Sequence, residues 1–150
     1  MKITKLPFKK MMIICVFMFC IIDTAFAVTD TWLANDNGTV LDVATGLVLQ
    51  QETDSNRHNY ANALIYCQEL SLGGSNNWRL PQIKELMSIV DYRTTGPAID
   101  GIDFKGFPST IHWTTSSDAT RSQFAWVVSF SNGAVVTFSK TSENSVRCVR

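Results

Sequence analysis

Two stretches in the middle of the chain place apolar residues at helical spacing. The first repeats them every three or four residues, at Tyr60, Ala63, Leu64, Cys67 and Leu70. This spacing predicts a helix with one buried face. Asn59 is a suitable N-cap residue. Gly73 and Gly74 are expected to end the helix, because glycine accepts the left-handed backbone conformation found there.

The second stretch follows Pro81, a residue that the first turn of a helix tolerates because no amide hydrogen is needed there. Its apolar stripe consists of Ile83, Leu86, Met87 and Val90. The pattern predicts a second helix from Pro81 to about Tyr92, with its polar residues facing outward.

Short runs of β-branched and aromatic residues flank the two helices and predict strands. Before the helices, Asn37-Gly38 and Thr45-Gly46 are turn signals next to strands at 39–42 and 47–49, which predicts a β-hairpin. After the helices, strands are predicted at 111–114, 124–130, 134–138 and 146–149. The separation of helices from antiparallel strands indicates the α+β class, with two helices packed on small sheets. In the stretch 96–111 the apolar residues follow neither the helical nor the strand period, which predicts a long irregular loop.

Residues 1–27 have the layout of a secretory signal peptide. Four lysines precede the apolar run Met11–Ile22, and Ala25-Phe26-Ala27 matches the small-x-small cleavage pattern. The apolar run is shorter than the roughly 20 residues that span a bilayer. We therefore predict a signal peptide over 1–27 and one domain over 28–150, exported to the periplasm or secreted to the cell surface. An uncleaved membrane anchor is the alternative.

Cleavage would change the charge of the chain. It would remove four of 13 basic residues and one of 13 acidic residues, leaving 9 against 12. Since no basic stripe survives, we expect no nucleic-acid partner. We also expect no membrane span after cleavage.

Cys67 and Cys148 are the two cysteines that would remain after cleavage. In an oxidising compartment two cysteines most simply pair. Closing a loop of about 81 residues would stabilise the fold by about 4 kcal/mol. Two buried free thiols are one alternative. A metal site is another, with His58 and His112 as the softer co-ligands.

The motif Trp78-Arg79-Leu80-Pro81 joins the two predicted helices. We interpret it as structural, with Trp78 and Leu80 filling the core. The Arg79 guanidinium can bind backbone carbonyls or a carboxylate such as that of Glu85. Direct contact of the motif with a ligand is the alternative.

Several segments, in order along the chain, resemble the Lcl C-terminal domain family, also called DUF1566. They are 36–40, 44–47, 63–72, 78–86, 126–133 and 146–150. The resemblance implies a C-type-lectin-like fold, in which a helix cysteine pairs with one on the last strand. Cys67 and Cys148 would be that pair. It also implies an exported bacterial protein related to an adhesin whose domain is linked to sulfated polysaccharides and to trimers.

We accordingly expect a secreted, non-catalytic binding module that recognises a glycan or cell-surface polymer. Binding residues concentrate on loops held by a rigid scaffold. The candidates lie on or beside the loops 96–109 and 115–122, and they are Asp100, Asp103, Lys105, Trp113, Ser116, Asp118 and Arg121. Trp113 could stack on a sugar, or it could fill the core, as we expect of Trp126.

Two other functions stay open. One is a protein–protein interaction module of the bacterial envelope, and the other is an unrecognised hydrolase with His112 as its base. We expect no cofactor. The oxygen-rich segments 35–37 and 100–103 raise the possibility of a structural calcium ion. The EF-hand pattern fails because Leu33 and Ala44 occupy ligand positions, so we interpret both segments as turns and expect no metal site.

Overall fold

The computed structural model describes residues 32–96, 98–99, 103–106 and 110–150. The predicted signal peptide and the candidate Asp100 lie outside the described residues. The elements in chain order are β1 (Trp32–Ala34), β2 (Thr39–Asp42), β3 (Val48–Gln50), α1 (Tyr60–Glu69), α2 (Ile83–Met87), β4 (Ile111–Ser117), β5 (Phe124–Ser129) and β6 (Val135–Ser139). They form two antiparallel sheets, β1-β2-β3 and β4-β5-β6, together with two helices. The α+β class is confirmed.

Helix α1 begins as the sequence predicts and ends earlier. The Asn59 side chain accepts a hydrogen bond from the Asn62 amide at 3.0 Å. The chain leaves the helix at Leu70, whose backbone is extended. Gly73 and Gly74 therefore do not end the helix. They form the tight turn between Leu72 and Ser75, where both glycines have positive φ angles.

Helix α2 is much shorter than the predicted span of 81–92. Its N-cap is Gln82, whose amide donates to Glu85 Oε2 at 2.7 Å. The helix stops at Met87 because the following chain turns into the core at Ile89, which is 4% exposed. The Asp91 amide then donates to the carbonyl of Ala98 at 3.0 Å instead of continuing the helix. Tertiary contacts override the helical period here.

The sheet β4-β5-β6 separates two hydrophobic clusters. Val127 packs in a cluster with Ala63, Cys67, Trp113 and other residues of α1 and the motif. Val128 packs in a second cluster with residues of β2, β3 and α2. Successive residues of a strand point to opposite faces, which explains the division. Trp126 is only partly buried, so the expectation of a core position for it was too strong.

The last residues close the fold without forming a regular strand. The predicted strand at 146–149 is present as isolated pairings, in which Val149 pairs with both Leu49 and Arg79. The Arg79 amide donates to the Val149 carbonyl, and the Val149 amide donates back, each at 2.8 Å. The end of the chain therefore lies between β3 and the motif that precedes α2. Among the described residues, no helix has the length and apolar character needed to cross a membrane.

Candidate functional site

A disulfide ties helix α1 to the last segment of the chain. The sulfur atoms of Cys67 and Cys148 are 2.04 Å apart, and the Cα atoms are 5.5 Å apart. Both side chains are fully buried in the same cluster as Trp113 and Val127. The predicted pairing is confirmed, and the free-thiol and metal alternatives are excluded for these two residues.

Arg147, the residue before Cys148, forms a second cross-link that sequence reasoning missed. Its guanidinium is fully buried, with Phe104 beneath it at 5.1 Å. The acceptors of its four hydrogen bonds are the carbonyls of Gln50, Gln51 and Lys105 and the hydroxyl of Thr53. The Nε atom is buried with no partner among the described residues. Burial lowers the pKa of Arg147 to about 9, against the opposing charge of Glu52.

His112 belongs to the same buried network. Its Nε2 lies 3.0 Å from Thr53 Oγ1 and its Nδ1 lies 3.2 Å from the carbonyl of Thr110. Burial, followed by the charge of Arg147, lowers the pKa of His112 to about 3. A neutral ring with its proton on Nδ1 satisfies both contacts, since Thr53 can then donate to Nε2. This arrangement supports a structural role for His112 and gives no support to a catalytic base.

The motif Trp78-Arg79-Leu80-Pro81 lies against the end of the chain. Trp78 and Leu80 are buried, and the Trp78 indole donates to the carbonyls of Leu72 and Ser75, each at 3.2 Å. Arg79 makes a bidentate pair with Glu85, at 2.7 and 2.6 Å. The carbonyl of Pro81 accepts from the Thr115 amide at 2.7 Å. All four residues therefore contact other parts of the fold.

Ser116, near the end of β4, and Asp118 and Arg121, in the loop that follows, bind groups of the domain itself. Ser116 Oγ accepts from the amide of Ile83 at 3.2 Å and so holds the start of α2. The Asp118 carboxylate accepts from Thr120 and from the amide and Nε of Arg121. Hydrogen bonds from Thr120, followed by those from Arg121, lower the pKa of Asp118 to about 2. This loop is closed by its own side chains.

The other candidates that the structure describes are Trp113, Arg121, Lys105 and Asp103. Trp113 is fully buried, and its indole donates to the His58 carbonyl at 2.7 Å, so it is placed to fill the core rather than to stack on a sugar. Arg121 reaches Thr137 Oγ1 at 2.9 Å and lies over the Phe124 ring. Lys105 is exposed, and Asp103 is half-buried. Of the six candidates that the structure describes, Asp118 and Arg121 contact each other and Trp113 belongs to the core, and binding of a ligand by any of them stays a prediction.

Sequence reasoning also missed a polar segment, residues 50–59 at the end of β3, here called the polar wall. The ten residues from Gln50 to Asn59 are all polar, and this run was the available signal. One cleft of about 410 Å³, here called the Tyr66 cleft, is bordered by this wall. It is lined by Gly38, Gln50, Gln51, Glu52, Thr53, Asp54, Ser55, Tyr66 and Leu72.

The Tyr66 cleft has a rigid floor. The Tyr66 hydroxyl accepts from Gln50 Nε2 at 2.9 Å, and Gln50 Oε1 accepts from the Cys148 amide at 3.1 Å. Burial raises the pKa of Tyr66, so its hydroxyl stays protonated. The Asp54 carboxylate pairs with His58. Cys148 and Arg147 therefore fix the polar wall through hydrogen bonds to Gln50, Cys148 to its side chain and Arg147 to its backbone carbonyl.

Two further clefts are present. One, of about 430 Å³, lies between the β2–β3 turn and α2, and Lys84 and Arg150 line it. The other, of about 230 Å³, is here called the Arg57 cleft. It is lined by Arg57, Thr110, Ile111, Ser129, Ser131 and Asn144.

No arrangement for a metal ion is found in the part of the chain that the structure describes, because no three His, Cys, Asp or Glu side chains converge there. In the segment 35–37, Asn37 Oδ1 accepts from Thr39 Oγ1 at 2.8 Å, and Asn35 Nδ2 donates to the same hydroxyl at 3.0 Å. These side chains hold a turn.

The geometry defines a class of protein, an α+β domain whose last segment is cross-linked to its first helix and bordered by polar clefts. The sequence model of a family described as the Lcl C-terminal domain matches residues 38–150, and the chain belongs to this family. The matched region begins just before β2 and includes both cysteines. No curated protein matches the chain in sequence.

Proposed function

We propose that residues 28–150 form an exported, non-catalytic, adhesin-like binding module that recognises a glycan or cell-surface polymer. Membership of the Lcl C-terminal domain family supports the adhesin-like character. The buried disulfide supports export, because such bonds persist in oxidising compartments. The C-type-lectin-like arrangement implied by the resemblance stays a prediction.

The Tyr66 cleft is the observation that carries this proposal. The polar residues that line this one space are Gln50, Gln51, Glu52, Asp54 and Tyr66. Sugar hydroxyls both donate and accept hydrogen bonds, so a mixture of amides, carboxylates and a phenol complements them. The wall is fixed by hydrogen bonds to Arg147 and Cys148. A preformed wall loses little conformational entropy when a ligand binds.

A glycan array tests the proposal. We expect purified residues 28–150, with the disulfide formed, to bind a defined set of glycans. The change Glu52→Ala removes an exposed carboxylate from the Tyr66 cleft and should weaken that binding at least about fivefold, since charge-assisted hydrogen bonds are the stronger kind.

Glu69→Ala is the matched control, because Glu69 is an exposed carboxylate on α1 that does not line the cleft. It should leave binding unchanged. Folding of each protein is checked by circular dichroism. A folded, oxidised domain that binds no glycan or envelope polymer would refute the function. Normal binding by the Glu52 variant would refute only the placement of the site.

A further inference from the structure

We propose that the Arg57 cleft binds a carboxylate group, such as that of a uronic acid within the ligand. This inference rests on the proposed glycan-binding function and deepens it. None of the described residues that line the cleft carries a carboxylate. Arg57 makes no ion pair with any residue that the structure describes. The lining therefore offers hydrogen-bond donors and one positive charge, which match an anionic acceptor.

Asn144 is the second observation. The residue is only 5% exposed, and its Nδ2 atom is buried with no hydrogen-bond partner among the described residues. Buried side-chain amides are normally paired, so an unpaired one calls for an explanation. The backbone of Asn144 is fixed, because it exchanges hydrogen bonds with the backbone of His58 at 2.9 and 3.0 Å. Asn144 and Arg57 thus lie in the lining of one cleft.

Two serines complete the donor set. The hydroxyls of Ser129 and Ser131 are 2.7 Å apart. Their mutual hydrogen bond uses one hydroxyl hydrogen, and the other has no acceptor among the residues that the structure describes, so it can donate to a ligand. Ser129 is 8% exposed and Ser131 is exposed, so this pair of hydroxyls connects the interior of the domain with its surface.

The size and shape of the cleft favour a carboxylate on a single sugar. Its volume of about 230 Å³ is smaller than the roughly 300–1,000 Å³ of pockets for drug-sized ligands. The planar fork of an arginine matches the two oxygens of a carboxylate. One sugar residue, rather than an oligosaccharide, would fill such a space.

The neighbouring Tyr66 cleft limits how densely charged the ligand can be. Asp54 lines that cleft and lies three residues before Arg57, so their Cα atoms are at most about 11 Å apart. A polymer could place neutral hydroxyls in one cleft and a carboxylate in the other. Glu52 and Asp54 would repel a densely charged polyanion, which favours isolated carboxylates along the ligand.

The test is an NMR titration of residues 28–150 with D-glucuronate, with D-glucose and glucose 6-sulfate as comparisons. We expect glucuronate to shift the amide signals of residues 57, 111, 129–131 and 144, and the other two sugars to shift them far less. Arg57→Gln should weaken glucuronate binding by about tenfold or more, because it removes the charge and the fork. Lys84→Gln is the control, since it removes an exposed positive charge from the cleft beside α2.

Asn144→Asp provides a second variant of nearly the same shape, and it should also abolish the glucuronate shifts. If this variant fails to fold, the Arg57 variant decides, because Arg57 is exposed and its replacement leaves the core intact. Equal binding of glucose, equal binding of glucose 6-sulfate, or an unchanged Arg57 variant would each overturn the carboxylate assignment. If the wild-type protein and the Arg57→Gln variant bind array glycans equally well, the proposed function stands and this inference fails.

Discussion

Two adjacent residues fasten the end of this domain in different ways. Cys148 joins α1 through a covalent bond inside an apolar cluster. Arg147 joins the wall after β3 and the backbone of Lys105 through hydrogen bonds alone. The first holds a helix, and the second holds the loops that border the Tyr66 cleft. The two cross-links therefore differ in kind, since one is a covalent bond within an apolar cluster and the other is a set of hydrogen bonds around a buried charge.

The largest effect is expected from breaking the disulfide. Cys67→Ala should lower the free energy of unfolding by about 4 kcal/mol, within a range of about 2–5, because the 81-residue loop is no longer closed. Urea denaturation followed by circular dichroism measures this change. Wild-type residues 28–150, unfolded without reductant, should contain no free thiol. With reductant, the same protein should approach the stability of the variant. Equal stability of the oxidised wild type and the variant would contradict the prediction.

Arg147→Met tests the second cross-link and should lower the free energy of unfolding by about 2–4 kcal/mol. It removes the Arg147 donor from the buried carbonyl of Gln50 and leaves the Lys105 carbonyl with the amide of Thr53, although it also removes the desolvation penalty of a buried charge. Arg147→Lys keeps the charge and loses the fork, so it should be no more stable than the Met variant. A Lys variant with wild-type stability would show that charge, rather than geometry, holds the wall.

The sequence makes the covalent cross-link visible and hides the polar one. Two cysteines have one simple way to pair, and the spacing around Cys67 already indicates a buried face. An arginine near the end of a chain looks like a solvated charge, because arginine is seldom fully buried. Its burial depends on backbone carbonyls that converge from Gln50, Gln51 and Lys105, which no local pattern encodes.

The same distinction explains the candidate site. The turn formed by Asp118 and Arg121 is a local interaction between residues three positions apart in the chain. The Tyr66 cleft needs β3, α1 and the segment around Gly38 to meet, and such long-range contacts are not readable from polarity alone. The short α2 has the same cause, because Asp91 pairs with Ala98 rather than with the helix.

The buried network around Arg147 includes His112, which should make the stability of the domain depend on pH. His112 has a folded pKa of about 3, below its ordinary value of 6.5, so the unfolded chain binds the extra proton. Stability from the neutral ring is therefore fully present above about pH 6.5 and decreases as the pH falls toward 3, by up to about 1.4 kcal/mol per pH unit. At pH 5 the loss in the free energy of unfolding, relative to pH 7, amounts to about 2 kcal/mol.

The measurement compares wild type with His112→Gln in urea at pH 7 and pH 5. The difference in free energy of unfolding between the two proteins should shrink by about 2 kcal/mol at the lower pH, because the glutamine variant cannot take up the proton. A difference that stays constant with pH would contradict a neutral, buried His112.

The smallest effect is expected where an arginine lies at the surface instead of in the core. Arg79 and Glu85 form a bidentate pair, yet the Arg79 side chain is 46% exposed. Solvent weakens such a pair, so a double-mutant cycle with Arg79→Gln and Glu85→Gln should give a coupling energy of about 1 kcal/mol or less. The guanidinium of Arg147 binds only uncharged acceptors among the described residues, and its loss is still expected to destabilise the fold more. A larger coupling at Arg79 than the loss at Arg147 would show that charge pairing, rather than burial, decides which arginine holds this domain together.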